Sequence, residues 1–142
     1  MLDRLRALFV EDEQSNTLRT EVAAAALMFE VMWADQQIEL SELDETKAHL
    51  VSIFNLDPES VDEIVQETGV LHGDSVGLHP FTRAINEALS AEDKFRIVEA
   101  LWRIALSDEQ VDALEEHMIR KISDLLYVSH RDFIRAKLAA RD

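Results

Sequence analysis

Two short acidic stretches hold the side chains best suited to binding chemistry. Asp35, Glu39 and Glu42 follow a long apolar run, and Asp108, Asp112 and Glu115 repeat the same spacing later in the chain. In each stretch an aliphatic residue, Ile38 or Val111, is placed to plug a core and fix the turn. Three carboxylates would then gather on one side of each turn. Hard divalent cations such as Ca²⁺, Mg²⁺ or Mn²⁺ take oxygen ligands of this kind. The turns are similar to the second half of an EF-hand loop, but the first half fails. Val31 and Trp33 in one copy, and Ile104 and Leu106 in the other, stand where that loop needs oxygen ligands. A structural reading competes with metal binding. Asp112-Ala113-Leu114-Glu115 is a capping box by itself, and Asp35 and Asp108 can bond backbone donors of their own turns.

Other constellations are weaker. Gly73-Asp74-Ser75-Val76-Gly77 matches the G-x-S-x-G nucleophile elbow, which needs a strand before the serine and a helix after it. No strand pattern precedes Ser75, so the stretch reads as a glycine-containing linker. His72, Asp74 and His79 share that loop but match no compact ligand motif. His49 and His117 fall on helical patterns beside acids, and His130 in a helix first turn, none in a chemical role. Arg83 is the first cation after a long acidic stretch and is expected to pair with an acid of the first half.

Helices must position these residues. Leu18, Val22, Ala25, Phe29 and Met32 recur at three- and four-residue steps, as do Phe95, Val98, Trp102 and Ala105, and Val111, Leu114, Met118, Ile122 and Leu125. No stretch alternates with period two. The steps and caps predict about eight helices, at 2–10, 16–34, 40–54, 58–68, 80–89, 91–106, 112–126 and 130–140. Asp57 before Pro58, Ser90 and Ser129 supply helix starts, and Gly69, Gly73 and Gly77 mark a loop near 69–78. Trp102 fits a core stripe, whereas Trp33 lies beside the first acidic turn, off the stripe.

The chain repeats itself at a spacing of 73 residues. Met28-Phe29-Glu30-Val31 aligns with Leu101-Trp102-Arg103-Ile104, and Glu42 with Glu115. After one lost residue, Leu56-Asp57 aligns with Val128-Ser129 and Val61 with Phe133. The expectation is an all-α, single-domain bundle over 1–142. Its two halves, about 16–66 and 89–140, pack about a pseudo-twofold axis and are joined by 67–88.

Composition bounds the function. The 142 residues contain no cysteine, which excludes thiol catalysis and cysteine-based zinc sites. The net charge is −15, and residues 21–82 hold Lys47 as their only Lys or Arg, which argues against a nucleic-acid surface. No apolar run is long enough to span a bilayer and the N-terminus has no secretory pattern, so a cytoplasmic protein without membrane insertion is expected.

Ala34-Asp35-Gln36-Gln37-Ile38-Glu39 with Glu42, and Ser107-Asp108-Glu109-Gln110-Val111-Asp112 with Glu115, resemble the duplicated alanine-aspartate-glycine motif of the TerB-like tellurite-resistance family. The similarity extends to Phe81-Thr82-Arg83-Ala84-Ile85-Asn86 and to the tail around Val128-Ser129-His130-Arg131-Asp132-Phe133, and covers roughly 15–140. It implies an all-α domain related to the N-terminal domain of certain membrane-anchored DnaJ-type co-chaperones. It also implies a bacterial protein of stress response without catalytic activity, and a divalent-metal site at Asp35, Glu39, Glu42, Asp108, Asp112 and Glu115. The family's glycine after the aspartate is Gln36 here and Glu109 in the second copy, a departure that weakens the expected site.

The combined expectation is a non-enzymatic acidic module that needs no cofactor. It would bind a divalent cation weakly and act with a protein partner in stress response or protein assembly. A metal-free interaction domain is the alternative, and a small hydrolase using Ser75 the least favoured reading.

Overall fold

The computed structural model describes residues 19–34, 40–72, 77–107 and 112–141, with side chains except at 69–72. These residues form seven helices and no strand: α1 (Thr20–Met32), α2 (Leu40–Phe54), α3 (Pro58–His72), α4 (His79–Ala88), α5 (Ala91–Leu106), α6 (Ala113–Leu125) and α7 (His130–Arg141). The helix expected at 2–10 lies outside the described residues.

Side-chain caps start α3, α5 and α7 where the sequence places them. Ser60 N–H donates to Asp57 Oδ1 at 2.8 Å, Asp93 N–H to Ser90 Oγ at 3.2 Å, and Asp132 N–H to Ser129 Oγ at 3.1 Å. Each bond satisfies a donor that the first turn would otherwise leave open. One boundary differs from the sequence reading. α3 runs through Gly69 to His72, so that glycine is helical and the loop begins later. A single glycine costs a helix only about 1 kcal/mol relative to alanine, which packing overrides.

α1 departs from its expected single stripe. Every residue from Val22 to Phe29 is buried, as are Val31 and Met32. A helix apolar on all sides belongs at the centre of a fold. Accordingly α1 packs against α2, α3, α4, α5 and α6, while α5 packs against α1, α2, α6 and most extensively α7. Partners cross between the copies: α2 lies on α5 and α6 lies on α1.

The repeat register is written in the burial. Glu42, Thr46 and Leu50 of α2 are buried, and so are their counterparts Glu115, Ile119 and Ser123 of α6. Val61, Ile64 and Thr68 of α3 correspond to Phe133, Ala136 and Ala140 of α7, again all buried. Two left-handed residues also correspond, Asn55 at φ 55° and Tyr127 at φ 61°. Tyr127 closes α6: its N–H donates to Asp124 O at 3.1 Å, and Val128 N–H donates to Ser123 O at 3.0 Å. This pair of bonds is a Schellman motif, whose left-handed position ordinarily holds glycine.

Trp102 takes the core position its stripe implies. It is fully buried, with its ring 5.2 Å from that of Phe133 on α7. Trp33 is half-buried at the end of α1 and packs against the same core.

Candidate functional site: the acidic end of the bundle

The described residues that flank the two acidic turns come together. Ser41, at the start of α2, has its Oγ 3.4 Å from the Oγ of Ser107, which caps the C-terminus of α5. Ser107 also donates to Ile104 O at 2.8 Å, which fixes its side chain. The residue before Glu42 therefore touches the residue before Asp108.

Of the six expected ligands, Asp35, Glu39 and Asp108 lie outside the described residues. Glu42, Asp112 and Glu115 are described. Glu42 and Glu115 occupy equivalent places in the first turns of α2 and α6, and each is only 2% exposed. The positive end of each helix dipole favours a carboxylate there. Thr46 Oγ1 donates to Glu42 O at 2.9 Å and lies 3.5 Å from Met32 Sδ, which ties this turn to the end of α1. No group of three or more histidine, aspartate or glutamate side chains placed to hold a metal occurs among the described residues.

In the second copy the capping reading holds. Leu114 N–H donates to Asp112 Oδ1 at 2.7 Å, and Asp112 N–H donates to Glu115 Oε1 at 3.2 Å. Together they complete a capping box. Asp112→Ala is expected to cost about 0.5–2 kcal/mol, measured by chemical denaturation.

Burial also changes a histidine that sequence reasoning set aside. His49 of α2 is 18% exposed at the side chain, with Nε2 3.0 Å from Glu45 Oε2. Burial lowers its pKa, and the Arg103 guanidinium of α5 lowers it further, against the raising effects of Glu45 and Glu99. Arg103 is itself held by Glu99 Oε2 at 3.1 Å and donates from Nη2 to Ala139 O at 3.0 Å, joining α5 to the last turn of α7. A histidine whose folded pKa is depressed binds its proton more readily in the unfolded chain. Stability from this site should be complete above about pH 6.5 and should fall as pH drops below it. Denaturation midpoints between neutral pH and pH 5 check this. The slope should flatten in His49→Gln.

Other expectations resolve differently. Arg83 pairs with Glu87 of its own helix at 3.2 Å, not with an acid of the first half, because the i,i+4 partner is nearest on an exposed face. Ser75 and Asp74 lie outside the described residues, and the described elements on either side are the helices α3 and α4, with no strand among the described residues. His79 is exposed at the start of α4. No helix among the described residues is long and apolar enough to cross a membrane.

The architecture is that of an all-α bundle in which the start of α2 meets the C-terminal end of α5. The chain belongs to the family of tellurite resistance protein TerB, whose model matches residues 21–138. The fold is similar to that of PG1108, a protein of unknown function from Porphyromonas gingivalis W83. The TM-score is 0.62 at 19% identity, over 88% of this chain and 97% of that one. No curated protein matches the chain.

Proposed function

We propose that this chain is a non-catalytic acidic module of stress response or protein assembly that binds a divalent cation weakly at its duplicated acidic turns. One observation carries the reading: Glu42 and Glu115, at equivalent positions in the first turns of α2 and α6, are both almost fully buried. A carboxylate leaves water only where donors or a positive charge compensate it. Family membership supports the non-catalytic part, since the resemblance implies no enzymatic chemistry. The capping box at Asp112 shifts the expected ion toward Asp35, Glu39 and Glu42, and supports a second reading in which the turns are metal-free and the acidic surface receives a protein.

Thermal melts with and without millimolar Ca²⁺, Mg²⁺ or Mn²⁺ test the proposal. A ligand at ten times its dissociation constant stabilises the native state by about 1.4 kcal/mol. The melting temperature should rise with one of these ions, and less so in Asp35→Asn. Flat titrations in wild type and in the Asp35→Asn/Asp108→Asn double variant would remove the ion and leave the protein-docking reading.

A further inference from the structure

Away from the acidic turns, a cleft of about 390 Å³ opens between α4 and the C-terminal end of α6. Arg83, Asn86 and Glu87 line one side and Asp124 and Tyr127 the other. Three locally unfavourable features coincide there.

Tyr127 is the first. It is 83% exposed and adopts φ 61°, a conformation that costs an ordinary residue roughly 1–2 kcal/mol. Its counterpart in the first copy is Asn55, a residue type that tolerates this region. The second is the charge at the helix end. α6 has no basic residue in its last turn, yet carries Asp124 there, against the negative end of its dipole. Asp124 makes no ion pair among the described residues, and the cleft's own cation, Arg83, is held by Glu87. The third is Asn86. Its Nδ2 donates to Leu125 O at 3.0 Å, which fixes the amide and leaves Oδ1 buried without a donor.

One ligand chemistry matches what the cleft exposes. A guanidinium is a cation for Asp124 and the helix end, and a flat group that stacks on an exposed aromatic ring beside Asn86. The ring already draws a cation of its own chain, with Lys94 Nζ 5.9 Å from its centroid. A net charge of −15 favours a basic partner over an acidic one. We infer that the α4–α6 cleft receives an arginine side chain presented by a partner polypeptide.

The test is an NMR titration with the peptide acetyl-Gly-Arg-Gly-amide and with its citrulline counterpart, which keeps the shape and lacks the charge. Tyr127 is the chain's only tyrosine, so its ring signals need no assignment by mutation. Saturable shifts of those signals and of the Asn86 side-chain amide are expected with arginine and not with citrulline. Affinity should fall about tenfold in Asp124→Asn, and likewise in Tyr127→Gly followed at Asn86. The glycine variant should fold at least as well as wild type, because glycine suits the left-handed position. Asp44→Asn, an exposed acid elsewhere, should leave affinity unchanged. Equal shifts with citrulline, unchanged affinity in both cleft variants, or a loss in Asp44→Asn as large as in Asp124→Asn would overturn the assignment. None of these outcomes depends on the acidic turns.

Discussion

Trp102→Ala should destabilise the protein by about 3–5 kcal/mol, a large fraction of the roughly 5–15 kcal/mol that holds an ordinary domain folded. The side chain is fully buried on α5, faces Phe133 of α7 at 5.2 Å, and lies beneath Lys137, whose Nζ is 5.1 Å from the ring. Lys137 in turn bridges to Glu116 of α6 at 3.2 Å. Truncation therefore opens a cavity where α5 and α7 make their largest contact and loosens a tie to α6. Trp102→Phe should be far milder. The indole Nε1 is buried without an acceptor, so phenylalanine loses volume but also removes an unsatisfied donor, itself a penalty of about 1–3 kcal/mol. Urea denaturation of both variants checks the pair. A phenylalanine variant as damaged as the alanine one would show that the retained ring volume does not rescue the site.

The second large effect is expected from enlarging α1. Ala24 and Ala25 are fully buried, and their counterparts in the repeat are Ile97 and Val98 of α5. If the two long helices sat in equivalent surroundings, Ala24→Ile and Ala25→Val would be tolerated. They do not. α1 is enclosed by neighbours on all sides, and the alanines let those neighbours approach closely. Each substitution should cost about 1–3 kcal/mol through overpacking. The reverse changes, Ile97→Ala and Val98→Ala, should also destabilise, by leaving cavities. Melting temperatures of the four variants measure how far the two copies have diverged.

These comparisons show which features the sequence makes legible. Helices with one apolar stripe, such as α5, announce themselves by period, and their caps fix the starts: the expected 91–106 is the observed Ala91–Leu106. The repeat is readable where residue types recur, as with Glu42 and Glu115, and burial recurs even where type is lost, as with Thr46 and Ile119. The central place of α1 was not readable as such. Its stripe of Val22, Ala25, Phe29 and Met32 is real, but the alanines between are equally buried, and alanine is a weak signal for either side of a helix. Gly69 misled because glycine marks loops on average while packing decides the particular case. At the acidic turns the sequence picked out Glu42 and Glu115, but periodicity alone could not show that both side chains leave solvent. The Tyr127 cleft had only one clue, the pairing of Tyr127 with Asn55 in the repeat, and backbone handedness cannot be read from a tyrosine.

The exchange of partners between copies has a consequence for how the chain acquires its structure. α2 rests on α5, and α6 rests on α1. Neither copy can complete its own packing while the other is unformed. α1 meets α3 and α4 first, but its packing on α6 must wait for a segment some 90 positions away, so the last of its apolar surface is covered only after a long loop closes. A split between α4 and α5 should therefore give two fragments that are each largely unstructured alone and regain helix content only when mixed.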